Sequence, residues 1–222
     1  MEFTNSATFF SFTDYEGFFI RSAEMQLLKK VQNRIRGLKQ KWGSSGAKRE
    51  LWNKEFSEGR WNNIEDTSGD VIYSFVEKYT ARGSILDLGC GSGNTGCELN
   101  PACYREYLGV DIADVAVEKA KERSKAIGRD EKNAYVQSDI ETFMPAKKFD
   151  VILFRESIYY MPKSRIGPIL DRYSNFLAPA GVMIIRWHDK QQADGLIPLV
   201  EVGRKMVEKH ISETGPIVLV FR

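Results

Sequence analysis

Cysteine, histidine and long apolar runs are all scarce in this 222-residue chain, and each scarcity excludes something. The three cysteines, Cys90, Cys97 and Cys103, are odd in number and form neither a C-x-x-C pair nor a C-x-x-C-H run. Their spacing fits no common zinc pattern, so no metal is expected, and reduced thiols point to a cytoplasmic protein. Cys90 and Cys97 are expected to pack as small apolar residues. No stretch approaches the roughly 18 apolar residues of a membrane span. The phenylalanine-rich start (Phe3, Phe9, Phe10, Phe12, Phe18, Phe19) is interrupted by Glu2, Asp14 and Glu16. No basic region leads an unbroken apolar core, so a secretory leader is not expected. A net charge of only +2 gives no overall bias toward nucleic acid, and no nucleic-acid partner is expected. With 42% hydrophobic and 28% charged residues, the chain can bury one sizeable core.

What is present divides into an arm, residues 1–50, and a domain, residues 51–222. From Met25 to Arg49 there are eight lysines and arginines and no acid. Leu28, Val31, Ile35, Leu38 and Trp42 recur at spacings of three and four, which predicts an amphipathic helix with a basic face. Two readings follow. The apolar stripe packs on the domain or on a second copy, or the helix meets an anionic surface such as a membrane or an anionic acceptor. Monomer and homodimer are both compatible. Gly43-Ser44-Ser45-Gly46 is expected to end the helix as a flexible joint.

Beyond the joint, Thr67-Ser68-Gly69-Asp70 resembles a capping box before a helix whose face is Val71, Ile72, Phe75, Val76 and Tyr79. Strands are predicted near 84–88, 107–111, 134–138, 149–154 and 181–187, and helices near 94–99, 114–126, 163–177 and 196–211. Asp114 reads as the N-cap of its helix. A last apolar run, Ile217 to Phe221, predicts a sixth strand. Strands separated by helices imply an α/β fold with a doubly wound, mostly parallel sheet, here with an N-terminal helical arm.

The run Leu86-Asp87-Leu88-Gly89-Cys90-Gly91-Ser92-Gly93 joins the first strand to the helix after it. Glycines on such a turn allow positive φ and a close ligand approach. Gly91 to Gly96 also reads G-x-G-x-x-G, with Asp111 about twenty residues on, as in a dinucleotide site. Asp111 alone does not discriminate, because either cofactor class needs an acid for ribose hydroxyls. Asp87 does: it sets a carboxylate beside the turn, suited to an ammonium or sulfonium ligand. No second glycine fingerprint supplies the other half of a dinucleotide site.

The pattern D-x-G-x-G-x-G at Asp87–Gly93 resembles motif I of the class I S-adenosylmethionine-dependent methyltransferases, which have a Rossmann-like fold. The resemblance covers about residues 84–188. It implies S-adenosylmethionine as cofactor, held at Asp87, Gly89, Cys90, Gly91 and Gly93. Gly109-Val110-Asp111-Ile112 looks like motif II, with Asp111 on the ribose hydroxyls and Ile112 over the adenine. Gln137-Ser138-Asp139-Ile140 is similar to the segment whose acid accepts the adenine amino group. It makes Asp139 that acceptor, or a helix cap, and Ile140 a second apolar wall. Arg60, ahead of the core, is a candidate for the methionine carboxylate. The family usually ends with an antiparallel strand pair, of which only Ile217–Phe221 is legible.

The strand Phe149–Phe154 and the residues after it resemble motif IV of the small-molecule branch, not the N/D-P-P-Y/F loop of enzymes acting on base amino groups. Tyr159 and Tyr160 are candidates to wall the acceptor site or to anchor the loop. Arg155 either pairs with Glu156 or holds an anionic acceptor. An alcohol needs a general base, and the candidates are His188, directly after the fifth strand, and Glu156. His210 is expected near a helix end. Together with Gly59-Arg60-Trp61, these features look like bacterial methyltransferases of cell-surface sugars and secondary metabolites. The expectation is O-methylation of a hydroxyl on a small molecule or glycan. Alternatives are N-methylation of a small metabolite, or a non-catalytic cofactor-binding interaction protein.

Overall fold

The computed structural model describes residues 12–62 and 67–222, with side chains from Met25 onward. The expectations for the phenylalanine-rich start therefore lie outside the described side chains. Helix α1 (Phe12–Trp42) and helix α2 (Ser45–Ser57) form the arm. Only Gly43 and Ser44 separate them, and the Ser44 hydroxyl caps α2 by accepting from the Ala47 N–H. The expected four-residue joint is thus a two-residue corner, and residue 50 lies inside α2.

The domain follows as α3 (Ile72–Thr80), β1 (Ser84–Leu88), α4 (Asn94–Glu98), β2 (Glu106–Asp111), α5 (Asp114–Ala126), β3 (Asn133–Gln137), β4 (Phe149–Arg155), α6 (Lys163–Ser174), β5 (Leu177–Trp187), α7 (Lys190–Ala193), α8 (Ile197–Glu201), β6 (Met206–Ile211) and β7 (Ile217–Phe221). The seven strands form one sheet in the order β3-β2-β1-β4-β5-β7-β6. The first five pair in parallel, while β7 runs antiparallel to both β5 and β6.

Two-residue alternation on the central strands buries both faces of the sheet. On β7, Ile217, Leu219 and Phe221 join one core with Ile152, Phe154 and Trp187, under α6. Val218 and Val220 join the other, with Val151, Leu153 and Ile184, under α3. The parallel order reverses at β1, whose neighbours are β2 and β4, and this is where such a sheet opens a crevice at its strand carboxyl ends.

Three local expectations are corrected. The helix expected over 196–211 stops at Glu201, where Val202 turns extended and Gly203 takes φ +73°, and β6 follows. β6 completes the antiparallel pair. It escaped recognition because it is an edge strand: Glu208 faces Lys78 and Tyr79 rather than a core, so its sequence lacks apolar density. Asp114 is not an N-cap, since Ala113 holds that position without a side-chain bond, and Asp114 reaches back to the arm. Nor is Thr67–Asp70 a capping box: Val71 is the cap, and Asp70 bonds the Ile72 N–H with one oxygen only.

Candidate active site

A cleft of about 970 Å³ opens over the carboxyl ends of β1, β2 and β4, with α2 as its roof. Asp87 interrupts the apolar run of β1 one residue before its carboxyl end and is 1% exposed. Its Oδ2 accepts from the Tyr107 hydroxyl at 2.6 Å, while Oδ1 has no partner. Burial pushes this carboxyl up to about 6, with the Tyr107 hydrogen bond the main opposing influence. The turn that follows places backbone where side chains cannot go. Gly89 has φ +86°, and a Cβ there would meet Ser157 Cβ at 2.5 Å; Gly93 has φ +80° and would strike Ala120. Cys90 is buried beneath the turn, as expected of a packing residue, and burial raises its thiol.

Asp111 ends β2, and its two oxygens accept from the Gly91 and Ala113 N–H groups, each at 2.9 Å. Burial raises it, and those backbone donors partly offset the rise. Ile112 and Ile140 line the cleft beside it. Asp139 caps its own turn through the Glu141 N–H at 2.9 Å, and it also accepts from the Ser45 hydroxyl at 2.6 Å.

That last contact belongs to the roof. Lys48 of α2 is buried against Glu141, and Arg49 and Asn53 bind Asp114 at 2.6 and 2.8 Å. Those donors hold the Asp114 carboxyl down at about 2. Trp52 turns inward, with its ring centroid 4.7 Å from that of Tyr160 in an edge-on pair and 5.8 Å from Trp61. Arg60 does not join the site. The chain turns at Gly59 (φ +69°), the Arg60 N–H closes on the Glu55 carbonyl, and the side chain is left exposed outside the cleft.

At the opposite end, Glu156 follows β4 with φ +56°, a strained value for a non-glycine residue. Its Oε1 accepts from Arg186 Nη1 at 2.5 Å and its Oε2 from the Tyr159 hydroxyl at 3.0 Å. Burial raises this carboxyl, with Arg186 the main opposing influence. Arg155 does not pair with Glu156, its neighbour in sequence. It continues the face of Val151 and Leu153, in register beside Arg186 on β5. Two adjacent buried guanidiniums require an acid between them, and Asp70 provides it, at 3.1 Å from Arg155 and 2.9 Å from Arg186.

Asp70 and Arg186 were not among the residues expected. The available signal was that β4 and β5 are nearly unbroken apolar runs that each bring an arginine to their ligand-facing ends. Tyr159 and Tyr160 line the cleft, with centroids 4.5 Å apart. His188 also lines it, but as an exposed residue at the rim. His210 sits on β6 rather than at a helix end, its ring 6.1 Å from Phe75. Among the described residues, no cluster of His, Cys, Asp and Glu is arranged to hold a metal ion, and no helix is long and apolar enough to cross a membrane.

A seven-stranded sheet of this order, with acids at the ends of β1 and β2, defines the class I S-adenosylmethionine-dependent methyltransferase fold. The chain belongs to the methyltransferase domain family, which matches residues 80–214. It is 25% identical over 139 residues to the 27-O-demethylrifamycin SV methyltransferase of Amycolatopsis mediterranei, covering 60% of this chain and 50% of that protein. It is 29% identical over 141 residues to the mRNA cap guanine-N(7) methyltransferase of Schizosaccharomyces pombe, covering 60% of this chain and 35% of that one. The chain thus spans half or less of the length of these two relatives. The fold is shared with the N-methyltransferase NodS from Bradyrhizobium japonicum in complex with S-adenosyl-L-homocysteine. That superposition has a TM-score of 0.64 at 18% identity and covers 78% of this chain and 97% of that one.

Proposed function

We propose that this chain transfers the methyl group of S-adenosylmethionine to a hydroxyl of a small molecule or glycan, with Glu156 as general base. The residues present fit the cofactor. Asp87 Oδ1 is a buried acceptor without a donor, at the mouth of a turn whose glycines admit a ligand, and the α-ammonium of the cofactor is such a donor. Asp111 keeps two lone pairs beyond its backbone bonds and would take the ribose hydroxyls. Ile112 and Ile140 would flank the adenine, with Asp139 at its amino edge, where Ser45 now bonds.

When bound, the cofactor supplies a methyl group on a sulfonium, open to in-line displacement. The protein's part is then to position the acceptor, keep water out and remove one proton. α2 with Trp52 and Phe56 covers the cleft, and Tyr159 and Tyr160 wall its reacting end. Glu156 takes the hydroxyl proton as the oxygen–methyl bond forms and the sulfur–methyl bond breaks. Arg186 and the Tyr159 hydroxyl orient it, and burial makes it more basic than an ordinary carboxylate. This raised, doubly held carboxylate is the observation that carries the hydroxyl reading. We assign His188 to contact with the acceptor at the rim.

A second reading rests on the same wall. Trp52, Tyr159 and Tyr160 also suit an amine acceptor that enters as its neutral base, its nitrogen lone pair taking the methyl group as the sulfur–methyl bond breaks and leaving an N-methylammonium that the aromatic wall favours. The relatives' names span oxygen and nitrogen acceptors and do not choose between them. The test is methyl-labelled S-adenosylmethionine incubated with the protein and cell extract, with capped RNA assayed in parallel. Label in glycans or base-stable methyl ethers supports the hydroxyl reading. Label in amines or RNA instead overturns it.

A further inference from the structure

Helix α1 carries an apolar face open to solvent, which meets the domain at its Trp42 end, where the Arg165 guanidinium of α6 lies 6.0 Å from the indole ring. Leu27, Leu28, Val31, Ile35, Leu38 and Trp42 are each 47–63% exposed. On a helix advancing about 100° per residue they fall on one stripe. The opposite side is the one that packs: Arg36 pairs with Glu55 of α2, and Gln40 is buried. The cations also divide by side. Arg36, Lys48 and Arg49 are paired with Glu55, Glu141 and Asp114. Lys29, Lys30, Arg34, Lys39 and Lys41 are exposed. By the same helical geometry, Lys30, Arg34 and Lys41 lie along one border of the stripe and Lys39 along the other. No acid occurs between Met25 and Arg49.

We propose that this face of α1 is a docking surface for an anionic lipid bilayer, lying in the interface with its stripe in the acyl boundary and its lysines and arginines at the headgroups. A polar-flanked apolar stripe with lysine and arginine on its borders and a tryptophan at one end is the chemistry that such a helix needs. A second copy of the chain fits less well. Leu28, Val31, Ile35, Leu38 and Trp42 have heptad spacing, but Arg21 and Glu24 occupy the two preceding positions of that repeat, leaving only two heptads. A partner helix would also set Arg34, Lys39 and Lys41 against like charges whether it ran parallel or antiparallel. An anionic surface turns those same charges into attraction. Because α1 runs into α2 through a two-residue corner, the docked face lies next to the roof of the cleft.

The test is flotation of the full chain with vesicles of phosphatidylcholine, and of phosphatidylcholine mixed with phosphatidylserine, at low and high salt. The expected result is binding to the anionic vesicles alone, weakened by salt. Replacing Lys30, Arg34, Lys39 and Lys41 with Gln should lower partitioning by about a hundredfold or more, since each contributes roughly a factor of five. Val31→Glu with Leu38→Glu should abolish it. Because these residues are exposed, both variants should keep the wild-type melting temperature. Absence of binding by wild-type protein overturns the proposal, as does equal binding to both vesicle types. So does a concentration-dependent dimer in sedimentation that the Glu pair converts to monomer.

Discussion

Asp70 Oδ2 lies 2.9 Å from Arg186 Nη2, and the same oxygen accepts from Arg155 at 3.1 Å. One carboxylate ahead of α3 thereby holds the ends of two adjacent strands. Through Arg186 it also sets the position of Glu156. The four side chains form an alternating chain of charge along one end of the cleft.

Asp70→Asn should destabilise the fold by about 3–5 kcal/mol, because it leaves the buried Arg155 guanidinium without its acid and Arg186 with Glu156 alone. Chemical denaturation measures this directly. If Glu156 is the base, a variant that still folds should also lose kcat more than KM for the acceptor. A stability loss with unchanged kcat would make Asp70 purely structural.

Asp87 ties stability to pH, and the sign follows from its environment. Its carboxyl titrates near 3.8 ordinarily and near 6 in the folded protein. The folded state therefore holds the proton more tightly, and this stabilisation is complete below about pH 4 and lost as pH rises through 6. The loss amounts to about 3 kcal/mol in the ligand-free protein. Asp87→Asn should remove that dependence, gaining in melting temperature relative to wild type between pH 4 and 7. It should also lose affinity for S-adenosylhomocysteine by calorimetry. In wild type that affinity should rise with pH through about 6, as the carboxylate forms opposite the ligand's ammonium.

Glu156→Gln separates the two acceptor readings. For a hydroxyl acceptor kcat should fall by roughly 10²–10⁴, with cofactor affinity unchanged. Wild-type kcat should rise with pH through a group titrating above the ordinary carboxylate value, since burial raises Glu156. The variant should lose that limb. An amine acceptor, which can react as the neutral base, should leave the variant within about tenfold of wild type.

Gly89→Ala should cost stability and cofactor binding together. Its φ of +86° disfavours any side chain, and the added Cβ would lie 2.5 Å from Ser157 Cβ. A cost of about 1–3 kcal/mol is expected from strain and overpacking, read as a lower melting temperature. Binding of S-adenosylhomocysteine should weaken in parallel, because the same turn forms the cleft wall.

Much of the fold was legible because its causes are local. Apolar strands of five to seven residues, separated by helices, encode a doubly wound sheet without reference to partners. The Asp87–Gly93 turn is one contiguous stretch, and Asp111 and Asp139 each mark the carboxyl end of a predicted strand. β6 was not legible, since an edge strand pairs on one side only and carries polar residues on a face that meets α3. Arg60 was misplaced for a related reason: proximity in sequence to the core does not fix a side chain's direction after a glycine turn.

What the sequence by itself determined is the order of elements, the cofactor-type turn and the acids at strand ends, all set by backbone preference and two-residue alternation. Only the tertiary structure decided which charges meet. Asp70 finds Arg155 and Arg186 because β4 and β5 lie in register and α3 packs across them, contacts spanning 85 or more residues. It also decided that α2 closes over the cleft while the apolar face of α1 stays open to solvent. Periodicity marks a face as apolar, but only the packed fold shows whether that face is covered.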